Sequence, residues 1–170
     1  MAEESSLRLR PASLSDLDFL LAIRNDSTTR SMSDTSTYTV SSSEYGDQLG
    51  WKLTDPLIHL YVAEADHQPV GTATLERQPG PHQIDGLISY AVHPDHRGRG
   101  YGTAILRALK SEAARLGIDR LRGDVKAVNG PSLAAFRSAG FGEPGMVVFE
   151  LSIASLRSGA EAALPESRAA

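Results

Sequence analysis

The sequence predicts a mixed α/β fold. Residues 84–92 form an apolar run that favours a strand, and residues 102–117 carry leucine and alanine at helical spacing before a glycine stop. A second strand and helix pair follows over residues 121–140. A helix that joins two strands in this order is typical of a βαβ unit, in which the strands run parallel. The length of 170 residues fits one domain.

The other elements follow in chain order from local patterns. Alternating or β-rich apolar runs predict strands, and capping residues followed by apolar spacing predict helices. The prediction is a strand over 7–11, a helix over 13–25, a polar loop over 26–42, a helix over 43–53, and strands over 57–65, 69–76 and 146–153. Residues 1–6 and 157–170 are rich in small and polar residues and are predicted to be flexible tails, so the domain spans 7–156.

Composition argues against several classes of protein. The net charge of −4 disfavours general binding to nucleic acid or to an anionic membrane, and no apolar run is long enough to span a bilayer. The first residues lack the basic and apolar regions of a signal peptide, so a cytoplasmic location is expected. His93 and His96 have no further ligand at a recognisable spacing, so no metal site is predicted. The sequence does not decide between a monomer and a homodimer.

The turn over residues 93–103 is the most informative segment. Gly98, Gly100 and Gly102 allow backbone N–H groups to approach a ligand closely, and the helix start adds unpaired N–H groups with partial positive charge. Arg97 and Arg99 add full charges beside them. The turn is therefore predicted to bind a phosphate-like anion. Its spacing excludes both a P-loop, which needs a lysine, and a dinucleotide fingerprint, whose third glycine comes one position later.

A second motif lies at a suitable distance from this turn. After the strand predicted over 121–128, Asn129 can cap the next helix, and Gly140 can end it. A small residue, Ser132, follows the asparagine by three positions, an aromatic, Phe136, by seven, and Gly140 with Phe141 by eleven and twelve.

Together the two motifs resemble the GNAT superfamily of N-acetyltransferases. The resemblance covers about residues 7–151 and implies a mostly antiparallel mixed sheet, splayed between its two central parallel strands and flanked by about four helices. It also implies acetyl-CoA as cosubstrate, with its pyrophosphate on the turn and its pantetheine between the splayed strands. The residues that this resemblance assigns to acetyl-CoA are Ala91, Val92, Arg97, Gly98, Arg99, Gly100, Tyr101, Gly102, Thr103, Asn129, Ser132 and Phe136.

Phe136 departs from the family pattern. Many members of the family carry a tyrosine there, which protonates the departing CoA thiolate, and phenylalanine has no proton to donate. The acid then comes from Ser132, Tyr90 or water, and Phe136 is a core aromatic or packs against CoA. A thiol pKa of about 8.5 makes the thiolate a tolerable leaving group, so the loss of a dedicated acid need not abolish turnover.

The acceptor side is less clear. Arg24 continues the apolar stripe of the first helix, where it either faces the cleft to bind substrate or order the loop, or extends to solvent from the helix end. With Asn25 and Tyr90, it forms the predicted acceptor-binding set. Asp85 and Glu76 are the candidate bases, because many family members use a carboxylate near the strand before the turn. The dipeptide formed by Asp85 and Gly86 also favours a turn.

These observations predict an acetyl-CoA-dependent N-acetyltransferase that acts on a primary amine of a small molecule, an amino sugar or a related metabolite. The chain has no cysteine to carry an acyl group, so direct attack by the amine in a ternary complex is expected. The residues around Arg24 loosely resemble the pseudaminic-acid type of amino-sugar acetyltransferase and the ribosomal-protein N-terminal acetyltransferases. The alternatives are therefore a protein N-terminal α-amine as acceptor, and a non-catalytic acyl-CoA-binding regulatory domain.

Overall fold

The central feature is a seven-stranded sheet with the order β1-β2-β3-β4-β5-β7-β6 among the described residues. The computed structural model describes residues 7–33, 37–145 and 148–153. The strands are β1 (Arg8–Pro11), β2 (Ile58–Ala65), β3 (Gln68–Pro79), β4 (Ile84–Val92), β5 (Arg120–Asp124), β6 (Gly142–Gly145) and β7 (Val148–Ser152). The helices are α1 (Leu17–Asn25), α2 (Ser27–Met32), α3 (Ser42–Thr54), α4 (Tyr101–Arg115) and α5 (Gly130–Ser138).

The sheet opens between its two central strands. Within the described sheet, every neighbouring pair is antiparallel except β4 with β5, which run parallel. Their pairing extends only from Asp85 opposite Arg120 to Leu87 opposite Arg122, although β4 continues to Val92. We call the space beyond these pairs the β4–β5 gap. The predicted mixed sheet with splayed parallel strands is confirmed.

Helices cover both faces of the sheet. Leu60 and Val62 of β2 pack with α1 and α3 on one face, whereas the alternate residues Tyr61 and Ala63 pack with α4 and α5 on the other. Side chains alternate along a strand in the same way on β4, where Ile88 belongs to the α4 and α5 face. Each face of β4 therefore offers different side chains to the β4–β5 gap.

Three sequence predictions need correction. The described residues form the four predicted helices and a fifth, α2, which lies within the segment predicted as a polar loop. This helix has no buried residue, and its sequence lacks the apolar periodicity that predicts a helix. The Asp26 carboxylate caps its start by accepting a hydrogen bond from the Thr29 amide at 2.8 Å. The strand predicted over 121–128 ends at Asp124, and β6 was not predicted. Both predicted tails lie outside the described residues.

The close contact between β5 and α5 yields a prediction about stability. A Cβ atom on Gly123 would lie 2.5 Å from Cζ of the buried Phe136 ring. Gly123→Ala is therefore expected to lower the free energy of unfolding by about 1–3 kcal/mol, as overpacked cores do. Urea denaturation measures the loss. The control is Gly50→Ala in α3, where a Cβ would meet nothing within 4 Å and stability should be kept or raised. Equal midpoints for Gly123→Ala and wild type would contradict this packing.

Candidate active site

Tyr90 joins the three elements around the β4–β5 gap. Its hydroxyl lies 3.1 Å from Oγ of Ser132, near the start of α5. Its ring lies against the first turn of α4, where a Cβ on Gly102 would come within 3.1 Å of Cε2. The glycine at position 102 thus allows the ring of Tyr90 to pack beside the helix start. The structure brings together two predicted catalytic residues, Tyr90 and Ser132.

The hydroxyl of Tyr90 is a proton donor at neutral pH. Burial raises the pKa of Tyr90 above its usual value near 10, and the hydrogen bond with Ser132 lowers it only in part. The phenol therefore stays protonated across the physiological range. A protonated phenol beside the gap can donate a hydrogen bond or a proton to an anion that forms there.

The turn after β4 presents an anion-receptive helix start. Gly98 and Gly100 have φ angles of 73° and 81°, a region that glycine adopts without strain. Gly100 is the N-cap of α4 and offers no side chain to the first amides of the helix. The N–H groups that open an α-helix have no earlier carbonyl to bind. These amides and the positive end of the α4 dipole are thus open to a ligand, beside exposed Arg99.

Arg97 contacts α2 as well as belonging to this turn. Its Nη2 donates to Oδ2 of Asp26 at 2.6 Å and to Oγ1 of Thr29 at 2.9 Å. Burial raises the pKa of the Asp26 carboxyl, but the hydrogen bonds from Arg97 and Thr29 outweigh it, so the net pKa lies below its ordinary value. Asp26 is therefore a carboxylate at neutral pH, and it ties α2 to the turn.

Asn129 and Phe136 have structural contacts in the second motif. Oδ1 of Asn129 accepts a hydrogen bond from the Ser132 amide at 3.2 Å, so the side chain caps α5. The Phe136 ring is 2% exposed, with its centroid 4.8 Å from that of Phe149 in a stacked arrangement. Such burial leaves Phe136 almost no surface for packing against CoA, and it favours the core role among the predicted alternatives.

The structure separates the two candidate carboxylates. Asp85 lies at the start of β4, far along the strand from the turn, and its Oδ2 accepts from Nη2 of Arg120 at 2.7 Å. It is paired within β4 and does not form a turn with Gly86. Glu76 lies on β3 opposite Leu87, where the parallel pairing ends. Its side chain is exposed and forms no ion pair with a described residue.

Arg24 and Asn25 order the segment that leads into α3. Nη1 of Arg24 donates to the carbonyl of Tyr38 at 2.7 Å, and its guanidinium carbon lies 5.6 Å from the centroid of that ring. The Asn25 side chain accepts from the amide of Val40 and donates to its carbonyl, at 2.9 and 2.8 Å. Both predicted acceptor residues are thus bound to residues 38–40, which fits the loop-ordering role that the sequence left open for Arg24.

Sequence reasoning missed Lys52 near this segment. Burial lowers the pKa of the Lys52 ammonium, and the neighbouring charge of Arg24 lowers it further. Its spacing in the sequence could have indicated this burial, because Lys52 follows the buried Tyr45 and Leu49 on the same face of α3. The region around Arg24 therefore carries a half-buried lysine.

Two further features of the described residues concern metal binding and membrane insertion. They include no group of three or more histidine, cysteine, aspartate or glutamate side chains that could hold a metal ion. His93 instead stacks on Phe19, with ring centroids 5.4 Å apart. Over the same residues, no helix is both long enough and apolar enough to cross a bilayer.

Comparison with known proteins gives the class. Residues 22–141 match the model of the acetyltransferase (GNAT) family. The match includes the glycine turn, the β4–β5 gap and the segment from Asn129 to Phe141. The chain belongs to this family.

Two curated relatives are mycothiol acetyltransferases. The one from Nocardiopsis dassonvillei is 40% identical over 58 residues, which are 34% of this chain and 17% of the relative. The one from Clavibacter michiganensis subsp. michiganensis is 30% identical over 102 residues, which are 60% of this chain and 32% of the relative. The chain thus spans about a third or less of the length of these relatives.

Solved structures share the fold at low identity. An aminoglycoside acetyltransferase, AAC(6′)-Ib in complex with coenzyme A, has a TM-score of 0.77 and 18% identity over 91% of this chain and 99% of its own. RimL, a ribosomal L7/L12 alpha-N-protein acetyltransferase in complex with coenzyme A, has a TM-score of 0.75 and 19% identity over 89% of this chain and 96% of its own. These likenesses establish the architecture of the chain.

The cap on α5 yields a prediction that separates two roles of Asn129. Asn129→Ala is expected to lower the free energy of unfolding by about 0.5–2 kcal/mol, because it removes the acceptor of the Ser132 amide. Asn129→Asp keeps an acceptor at the same place and should keep wild-type stability. Urea denaturation compares the three proteins. Equal losses in both variants would show that the amide group of Asn129 matters for something other than the cap.

Proposed function

We propose that the protein transfers an acetyl group from acetyl-CoA to a primary amine of a small molecule, an amino sugar or a related metabolite. The observation that carries this proposal is the β4–β5 gap, which has the anion-receptive start of α4 on one side and the Tyr90–Ser132 pair beside it. Family membership supports it. The coenzyme A complexes of AAC(6′)-Ib and RimL support the choice of cosubstrate.

In this proposal, the turn holds the pyrophosphate and β4 holds the pantetheine. Backbone amides over residues 98–103 and the side chain of Arg99 bind the phosphates, as the free helix start favours. Beyond Leu87, the edge of β4 that faces the gap has no strand partner among the described residues, so its backbone groups are open to the amides of the pantetheine. The N–H group of Val92 points away from β3 and polarises the thioester carbonyl, whereas that of Ala91 points toward β3.

The chemistry is a direct acyl transfer. The amine lone pair attacks the thioester carbonyl carbon, and the C–S bond breaks as the thiolate leaves. The amine proton passes to a base, and the thiolate takes a proton from the Tyr90 hydroxyl, which Ser132 orients. Holding both substrates in one gap makes positioning the main source of rate enhancement. The chain contains no cysteine for an acetyl-enzyme.

Glu76 is the base that this proposal favours. It is exposed on β3 opposite Leu87, four residues or about 13 Å along the strand from Ala91, so a chain of water molecules relays the proton from the attacking amine to it. Asp85 is a weaker choice because Arg120 binds its carboxylate, which is therefore not free to approach an amine. An amine of low pKa, such as an α-amine near 7.7–8.0, needs less help from such a base than a lysine amine near 10.4.

Labelled acetyl-CoA, with separate panels of amino sugars, other small amines and peptides, tests the function. We expect label on a small amine, and a loss of acetyl-CoA affinity of about tenfold or more in Arg99→Glu by calorimetry, since charged hydrogen bonds contribute about 1.5–3 kcal/mol. Arg107→Glu, exposed further along α4, is the charge-matched control. Label on peptide N-termini alone would show that the acceptor is a protein α-amine and not a small molecule. Binding without transfer to any acceptor would support a regulatory domain.

Removing the Tyr90 hydroxyl tests its role as the acid. Tyr90→Phe is expected to lower kcat by about 10²-fold or more with little change in the KM for acetyl-CoA, the usual size of a general acid contribution. Tyr61→Phe is the matched control, because that hydroxyl binds Glu112 away from the gap. Steady-state kinetics from pH 6 to 9 provide the measurement. A loss of tenfold or less would assign the proton to Ser132 or to solvent.

A further inference from the structure

The short helix α2 connects the two turns that follow the splayed strands. At its start, Asp26 and Thr29 bind Arg97 of the turn after β4. At its end, Nζ of Lys126, which follows β5, donates to the carbonyls of Ser31 and Ser33 at 3.2 and 2.9 Å. A helix of six residues is about 9 Å long at 1.5 Å per residue. It thus lies across the carboxyl-end edge of the β4–β5 gap.

Polar contacts fix the place of α2. None of its residues is buried, so no apolar packing into the core holds it against the sheet. Because the free energy of such packing is the usual source of helix stability in proteins, a helix without it depends on its caps and ion pairs. Arg30 of α2 donates to the carbonyls of Asn25 and Thr37, both at 3.2 Å, and ties the helix to its own chain neighbours. The contacts with Arg97 and Lys126 are the ones that attach α2 to the turns after β4 and β5.

The guanidinium of Arg97 keeps donors for a second partner. Its bonds to Asp26 and Thr29 use Nη2 alone, and Nε and Nη1 bind no described residue. Arginine has five N–H donors in a planar fork, and a phosphate accepts two of them side by side. Arg97 can therefore bind Asp26 and a pyrophosphate at the same time, and the phosphate would restrict the guanidinium that holds α2.

We propose that Asp26 and Lys126 are positioning residues that couple cosubstrate binding to the acceptor side of the site. This inference rests on the proposed function, because it needs the pyrophosphate of coenzyme A at the turn. With pyrophosphate bound, Arg97 fixes the start of α2 while Lys126 holds its end. The helix then closes the outer edge of the gap next to Arg24 and Asn25. By linkage, coenzyme A and an ordered α2 favour each other.

Hydrogen exchange of the α2 amides, followed by mass spectrometry with and without coenzyme A, tests this coupling without a known acceptor. In the wild type, coenzyme A is expected to slow exchange over residues 27–32 by about fivefold or more, the lower end of typical couplings. In Asp26→Asn, the side chain still caps α2 but loses its charge for Arg97, so this slowing should fall below twofold. Asp18→Asn, an exposed acid on α1, is the charge-matched control and should behave as the wild type.

A separate variant tests the contact of Lys126 with the end of α2. Lys126→Met is expected to speed exchange over residues 27–32 in the free protein while coenzyme A still slows it, because the contact between Arg97 and Asp26 is intact. Unchanged exchange in free Lys126→Met would overturn the role of Lys126.

The outcomes also separate this inference from the proposed function. Coenzyme A that binds the wild type by calorimetry without slowing exchange in α2 overturns the coupling alone. Equal slowing in Asp26→Asn and wild type does the same. Failure of coenzyme A to bind the wild type at all overturns both the proposed function and the coupling.

Discussion

The parallel pairing of β4 and β5 stops after Leu87 and Arg122, and the arrangement of the site depends on that limit. If the ladder continued to Val92, the two strands would satisfy each other's backbone groups and leave no path between them. The ion pair of Asp85 with Arg120 lies where the strands still pair, and it stabilises the closed end. Beyond that end, β4 and β5 no longer pair, and the side chains of Tyr90 and Ser132 meet instead.

The aromatic residues near this opening differ from the pattern that the sequence resembles. Phe136 packs against Phe149 and Phe141 in the core, and its ring covers the backbone at Gly123. The phenol instead projects from β4, where Tyr90 reaches Ser132. In the proposed mechanism, the acid belongs to a strand and is held by the sheet, whereas an acid on α5 would depend on how that helix packs. Both placements bring a hydroxyl to the same opening.

Local patterns predicted those parts of the site whose partners are close in sequence. The glycine turn could be predicted because Gly98 and Gly100 need positive φ, and the cap could be predicted because Asn129 accepts from an amide only three residues away. The Asp85–Arg120 pair joins residues 35 positions apart, so no local pattern could reveal it. The helix α2 was missed for a related reason. It has no apolar face, and distant side chains determine its position.

The contact between Gly123 and the Phe136 ring has a consequence for how this lineage varies. A Cβ at position 123 and an aromatic ring at position 136 compete for the same volume. Neither position can change size alone without strain or a cavity, so substitutions at the two positions are expected to have non-additive effects on stability. Homologues that carry a larger residue at the first position should carry a smaller or displaced side chain at the second. The packing between β5 and α5 thus accommodates changes of side-chain volume in pairs rather than singly.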